Sequence, residues 1–399
     1  MSKPPQRPRR HRNPGSQSAL RQSNQQRILQ ALLVRGPLTQ AELSRHTGLS
    51  TATVSNIVKA LVARGILQTE PTTSSGRRAL EVSLSADGAV SVGIDFGRSH
   101  VRIAVTTLDY RVVAEEVIRL PLGHQAHDAL QTAAELLGRL LFEARVARTA
   151  VLGVGVGIPG PIDGRTGTVI DGTILPEWVG ITASYIEERL QFPVRIENDA
   201  NLGALAEVTW GPHGGVSNLV FVKIGTGIGC GLILNGSLFK GSLGVSGEIG
   251  HIPVHDHGLV CRCGNRGCLE TVASTAIMIE LLSRSPQHIT NAAELVESAL
   301  AGDTATLRVV NDAGLAVGRS LATIANFVNP EVIVVGGPLA GLGELLLGPV
   351  REGLLRYAAP IVGANTRLSM SSFTDRAEAL GAASLGLQEL DVDDFVIVS

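Results

Sequence analysis

The chain has 399 residues, of which 44% are hydrophobic, 18% charged and only 3% aromatic, with 46 glycines. That is apolar material for several cores and excludes a mainly disordered chain; no apolar run is long enough to span a membrane, and the basic, proline-rich first twelve residues are not a signal peptide. The net charge of -2 hides an asymmetry: residues 1–85 hold 13 Lys+Arg against three Glu, a net of +10, and residues 86–399 hold 21 basic and 33 acidic groups, a net of -12. A small basic module on a large acidic one points to a nucleic-acid contact near the N-terminus. A soluble cytoplasmic protein is expected.

Residues 1–23, with Lys3, Arg7, Arg9, Arg10, Arg12 and Arg21 among Pro, Gln and Ser, read as a disordered basic arm. Ile28, Leu29, Leu32 and Leu33 then share one helix face, and Gly36-Pro37 ends that helix. Thr39 with Glu42 forms a capping box for a second helix that ends near Gly48. Ser50 caps a third, whose Val54, Ile57, Val58, Leu61 and Val62 form an apolar stripe. Ile66–Gln68 and Ala79–Leu84 read as strands joined by a polar turn over Pro71–Arg78. Three helices and a hairpin over residues 24–85 predict a winged helix-turn-helix. In such a domain the third helix enters the major groove. Ser50, Thr51, Thr53, Ser55 and Asn56 are then placed to read bases, and Lys59 to meet phosphate. Arg77 and Arg78 sit on the wing, suited to the minor groove or its phosphates.

From Val90 the pattern changes to α/β. Strands are expected at Ser91–Asp95, Val101–Thr106, Arg111–Arg119, Val151–Ile158 and Val194–Asn198, with an amphipathic helix over Ala129–Arg148. A second lobe, residues 211–399 after a first at 86–210, carries strands at 218–224, 229–234 and Val332–Val335 and several helices, the last over 375–388. That last helix is free to pack back on the first lobe. Both lobes begin with a strand, a glycine-bearing turn and a strand, at Val92–Val105 and at Val222–Leu234. This echo fits a duplicated fold with a cleft between its halves.

The sharpest chemical signal is Gly247-Glu-Ile-Gly-His251 followed by Cys261-Arg-Cys263-Gly-Asn-Arg-Gly-Cys268-Leu-Glu270. One imidazole and three thiols lie within 18 residues. They fill the four-donor shell of a structural Zn²⁺, with His251, Cys261, Cys263 and Cys268 as ligands and no position left open for hydrolysis. Cys230 stands apart and reads as a buried apolar residue.

With these residues the chain, from about residue 24 to 390, resembles the ROK family (repressor, open reading frame, sugar kinase), whose zinc signature the His251/Cys261/Cys263/Cys268 pattern matches. The N-terminal winged helix resembles that of the repressor branch. The resemblance implies an actin-like, hexokinase-like α/β fold of two lobes and a sugar or sugar derivative as effector. In Glu197-Asn198-Asp199-Ala200-Asn201, Asn198 and Asp199 match residues that hold sugar hydroxyls, and Asp199 matches the general base of the kinases. Glu248, His251 and Glu270 resemble further sugar contacts, His251 using one ring nitrogen on zinc and the other toward a hydroxyl. Gly160, in Gly157-Ile-Pro-Gly-Pro161, lies in the loop that resembles the family's sugar-pocket loop. Trp178, in Leu175-Pro-Glu-Trp178, either covers a sugar face or belongs to the core.

The nucleotide motifs are less faithful. Gly225-Thr226-Gly227-Ile-Gly229 resembles the family's second phosphate loop, and Gly337 lies in a stretch like its adenosine loop. The first phosphate loop of the kinases runs Asp-x-Gly-Gly-Thr-Lys; here it is Asp95-Phe-Gly97-Arg98-Ser99-His100. Arg98 replaces a glycine that lets the turn approach phosphate, and His100 replaces a basic residue, which weighs against ATP. The expectation is a sugar-responsive regulator that binds operator DNA, most simply as a repressor and as a homodimer or homotetramer. The alternative is a sugar kinase carrying a DNA-binding module.

Overall fold

The computed structural model describes residues 20, 24–25, 27–29, 31–32, 35–63, 65–74, 77–85, 89–170, 174–283 and 288–388. The basic arm, and so its expected disorder, lies outside them apart from Leu20. The chain forms two compact units, one holding the N-terminal module and the other Val90–Thr106 with Val112–Gly386. Among the described residues no helix is long and apolar enough to cross a membrane.

In the first unit, β1 (Leu38–Thr39) leads into α1 (Gln40–Thr47), and α2 (Thr51–Val62) follows. The capping box closes as the spacing requires: Thr39 N–H donates to Glu42 Oε2 at 2.8 Å and Glu42 N–H to Thr39 Oγ1 at 3.3 Å. Gly48 takes a left-handed φ of 70° that ends α1. Val54, Ile57, Val58 and Leu61 are buried on one face of α2, which leaves Thr51, Asn56 and Lys59 exposed on the other. The wing strands β2 (Leu67–Ser74) and β3 (Arg77–Leu84) are longer than the sequence suggests. They pair from Leu67↔Leu84 to Ser74↔Arg77, so the expected turn over Pro71–Arg78 is mostly strand. The sheet order β1-β3-β2 makes β2 an edge, where Pro71 has no ladder hydrogen bond to forfeit.

The second unit opens with β4 (Val90–Phe96), β5 (His100–Thr107) and β6 (Val112–Arg119), followed by α3 (Ala126–Glu143) and β7 (Val151–Ile158). A small hairpin, β8 (Ile162–Asp163) and β9 (Thr168–Val169), precedes α4 (Ala183–Leu190), β10 (Val194–Asn198) and α5 (Asp199–Thr209). The second lobe runs β11 (Leu219–Ile224), β12 (Ile228–Leu234), β13 (Ser237–Leu238), α6 (Glu270–Ala273), α7 (Thr275–Leu282), α8 (Ala292–Leu300) and α9 (Thr304–Val328). It ends with β14 (Val332–Gly336), α10 (Glu344–Tyr357), α11 (Pro360–Asn365), β15 (Arg367–Met370) and α12 (Ala377–Gln388).

The internal echo extends through both sheets. The first has the order β10-β7-β4-β5-β6 and the second β13-β12-β11-β14-β15. Each is a three-strand meander extended on the side of its first strand by two later, parallel strands. Each lobe also lends a helix to the other. α5 leaves β10 and lies against the second sheet, where a Cβ on Gly231 would stand 2.3 Å from the Ala200 carbonyl oxygen. α12 follows β15 and lies against the first sheet, where a Cβ on Gly93 or Gly155 would meet backbone oxygens of α12 at 1.8 and 1.9 Å. The alternating glycines of Val151–Ile158 therefore serve close packing of helix on strand. Residues that begin α5 and α12 are held at the cleft by both lobes.

Candidate effector cleft

The cleft between the two sheets is lined by residues of both lobes. It gathers Asp95, Gly97, Gly160, Asn198, Asp199, Gly225, Thr226, Gly227, Glu248, His251, Glu270 and Gly337, all nominated from the sequence, and Arg98 and His100 from the altered loop. Ser99 is exposed and outside this lining. Trp178 is also outside it: fully buried, its ring lies 4.6 Å from that of Phe96, which settles the choice for the core. Cys230 is buried, and its thiol is pushed up to about 12 by desolvation, as suits an inert core residue.

Asn198 caps α5. Its Oδ1 accepts from Ala200 N at 2.9 Å and Asn201 N at 3.3 Å, and its Nδ2 donates to the Gly160 carbonyl at 3.0 Å. It therefore ties the Gly160 loop to the helix start. Asp199 Oδ1 accepts from Ala200 N at 2.9 Å, and Oδ2 accepts from Lys223 Nζ at 2.9 Å. Glu270 Oε1 accepts from Arg262 Nε at 2.7 Å, and Oε2 from Ile228 N at 3.2 Å. Two of the nominated acceptors thus already carry a cationic partner.

Lys223, Lys240, Arg262 and Glu378 were not nominated from the sequence. Lys223 stands on β11 and also lies 2.9 Å from Glu378 Oε1 on α12. Burial opposes its charge, but Asp199, Glu378 and Asp95 together hold its pKa well above the ordinary lysine value. Burial, with Asp95 and Asp199 adding to it, raises Glu378 against the pull of Lys223. Asp95 is buried at the end of β4, with Oδ2 3.1 Å from His100 Nε2. Burial works against its ionised form, and the His100 hydrogen bond and the Lys223 charge more than offset this, so its pKa is lowered. The same contact raises His100 against its own burial. Asp95 is occupied by side chains of the protein. A signal for the lysines existed: the chain has only four, Lys3, Lys59, Lys223 and Lys240. For Glu378 the only signal was an acid in an otherwise apolar helix.

Beside the cleft, the His251, Cys261, Cys263 and Cys268 donor atoms all lie within 4.8 Å of one another. A tetrahedron with metal–sulfur bonds of about 2.3 Å and metal–nitrogen bonds of about 2.0–2.1 Å has edges of about 3.8 Å between sulfurs and about 3.6 Å from sulfur to nitrogen. Cys263 Sγ and Cys268 Sγ are 3.8 Å apart, and Cys261 Sγ and His251 Nδ1 are 3.5 Å apart. These residues fit a closed tetrahedral metal site. The other ring nitrogen, Nε2, lies 3.7 Å from Glu248 Oε2, and both residues line the cleft.

On the N-terminal module, Ser50 Oγ accepts from Thr53 N at 3.1 Å and lies 2.8 Å from Thr53 Oγ1. These two hydroxyls are engaged in the cap, which leaves Thr51, Asn56 and Lys59 as the exposed polar residues of α2. Arg78 is exposed on β3; the side chain of Arg77 lies outside the described residues.

Comparison with known proteins agrees with this construction. Residues 22–78 match the MarR family, and residues 91–389 match the ROK family. The chain is 28% identical over 392 residues to a putative xylose repressor of Caldicellulosiruptor sp. (strain Rt8B.4), covering 94% of this chain and 98% of that protein. It is 30% identical over 310 residues to a glucokinase of Thermotoga maritima, covering 74% of this chain and 96% of that one. Among solved structures, it is similar to a ROK family transcriptional regulator described as a homolog of the E. coli MLC protein, with 25% identity, a TM-score of 0.79, and 94% and 97% of the two chains covered. A ROK family glucokinase from Streptomyces griseus, in complex with glucose and AMPPNP, matches with 25% identity and a TM-score of 0.66 over 75% of this chain and 100% of that one. The chain belongs to the ROK family, with a MarR-type winged helix ahead of the two-lobed domain.

Proposed function

We propose that this protein is a sugar-responsive transcriptional repressor, with operator DNA bound by the winged helix and a sugar or sugar derivative bound in the cleft. The observation that carries this reading is the coexistence in one chain of an exposed polar recognition face on α2 and a cleft lined by Asn198, Asp199, Glu248, His251 and Glu270. A sugar presents many hydroxyls and needs several acceptors at fixed angles, which these carboxylates and the imidazole supply. Relatives named as xylose repressors span nearly the whole chain, whereas those named glucokinase cover about three quarters of it. The protein then acts in the cytoplasm, and the two-fold symmetry of operators favours a homodimer or a homotetramer built from dimers.

One Zn²⁺ per chain is the metal the donor set fits, held by His251, Cys261, Cys263 and Cys268. Bound there, it fixes the His251 ring so that Nε2 is presented beside Glu248 in the cleft. Its contribution is to folding and orientation.

The kinase reading has its own support in Asp199 and in Gly225–Gly229, but the cleft disfavours it. Arg98 and His100 alter the first phosphate loop, and Lys223 occupies Asp199, the group placed to take a proton from a sugar hydroxyl. Incubation with ATP and a panel of aldoses is expected to give no sugar phosphate above background; turnover that disappears in Asp199→Asn establishes the kinase instead.

The regulator reading is tested by titrating labelled operator with wild type and Asp199→Ala, with and without the sugar found by thermal shift. The variant is expected to bind operator normally and ignore the sugar, with a wild-type coupling of about 1–3 kcal/mol. Release of DNA by both proteins at one sugar concentration assigns the pocket elsewhere. Tighter DNA binding with sugar reverses the sign of regulation.

A further inference from the structure

The strand end Glu197–Asp199 is gripped from the second lobe by two lysines. Lys223 Nζ pairs with Asp199 Oδ2, and Lys240 Nζ pairs with Glu197 Oε2. In a chain with 30 arginines and four lysines, two of the four stand on this one tripeptide. An ammonium is a compact point charge whose three protons can serve acceptors from several directions around one centre; a guanidinium is a planar fork. The surroundings of Lys223 call for the former. Asp199 comes from the start of α5 and Glu378 from α12, both at 2.9 Å, while Asp95 adds its field from β4.

A sugar hydroxyl that donates to Asp199 meets a carboxylate already matched by a cation. Its Oδ1 is held by Ala200 N and its Oδ2 by Lys223. A sugar hydroxyl that takes the position on Oδ2 now held by Lys223 displaces the ammonium from Asp199. Lys223 then keeps the Glu378 carboxylate 2.9 Å away, so the buried ammonium retains a countercharge while Asp199 exchanges one donor for another. The change falls on α12, which carries Glu378 and lies against the first sheet.

We propose that effector binding is read as the transfer of Asp199 from Lys223 to a sugar hydroxyl, with Lys223 reporting occupancy of the cleft to α12 through Glu378. This rests on the reading of the cleft as a sugar site.

The full chain, labelled with ¹³C at lysine Cε, is titrated with D-xylose, D-glucose and N-acetyl-D-glucosamine, and the Lys223 signal is assigned by its loss in Lys223→Met. The same sugars are titrated calorimetrically into Lys223→Met and into Lys223→Met/Glu378→Gln, which removes one charge of each sign and guards against misfolding of the single variant. The expected result is that a sugar binding the wild type shifts the Lys223 signal and binds the double variant about tenfold more tightly, because its competitor is gone. A sugar that binds the wild type but leaves the Lys223 signal in place, or binds the double variant no more tightly, overturns the competition while leaving the sugar site standing. If none of the three sugars binds the wild type, the sugar reading of the cleft fails for them and the inference falls with it.

Discussion

Lys223 Nζ and Asp199 Oδ2 lie 2.9 Å apart across the two lobes, so the carboxylate best placed to meet a sugar is paired with a cation of the protein's own. Neither side chain is more than one-fifth exposed. Removing one partner of such a pair costs more than the pair itself contributes, because the other charge is left desolvated. Lys223→Met should therefore lower unfolding stability by about 3–5 kcal/mol, with Lys223→Met/Asp199→Asn, which removes both charges of the pair, recovering much of the loss. Denaturant unfolding of the three proteins checks this; a single variant as stable as wild type shows that water replaces the ammonium at no cost.

The Asp95–His100 contact predicts a pH dependence with a definite sign. His100 is raised in the folded chain, so its contribution is full below the ordinary histidine value and is lost as pH rises through the raised one. Asp95 is lowered, so its contribution is present above the ordinary aspartate value and is lost as pH falls through the depressed one. The pair stabilises most in the window between them. The difference in melting temperature between wild type and His100→Gln should be largest in mildly acidic buffer and shrink above neutrality. A difference that grows with pH contradicts the pairing.

The Cys₃His cluster predicts about one zinc per chain by elemental analysis. Cys263→Ser should lose the metal and destabilise the second lobe, since ligand deprotonation and folding are coupled to metal binding. A strong chelator should lower the wild-type melting temperature toward that of the variant. Purified protein with well under one equivalent of zinc refutes the assignment.

On α2, Asn56 is the exposed amide at the centre of the polar face. Asn56→Ala should relax base preference at one operator position by about 1–3 kcal/mol if the amide makes a bidentate contact. Arg77→Ala with Arg78→Ala should weaken binding to all sequences and flatten its salt dependence, as lost phosphate or minor-groove contacts do. Competition between specific and random duplexes at several salt concentrations separates the two effects. Unchanged behaviour in both variants moves the reading surface off this module.

Local chemistry alone was enough for the helix caps at Thr39 and Ser50, the apolar stripe of α2, most strands of both lobes and the Cys₃His set, because each depends on residues close together in the chain. The order of the sheets was legible only as an echo between two strand–turn–strand units; that both run in the same strand order depends on parallel pairings between distant segments, such as Val90 with Val151 and Leu219 with Val332. Trp178 was undecided in sequence because a buried indole and a sugar-stacking one look alike; its contact with Phe96 decides for the core. The wing was longer than its turn residues implied, since Pro71 is tolerated on the edge strand that only the sheet order identifies. The charge pattern of the cleft was not legible in the sequence. Asp95, Asp199, Lys223 and Glu378 are far apart in sequence, and an isolated lysine or glutamate carries no local pattern. Only the exchange of α5 and α12 between the lobes brings these charges together, and at that range their electrostatic interaction depends on distance and burial, which tertiary structure alone provides.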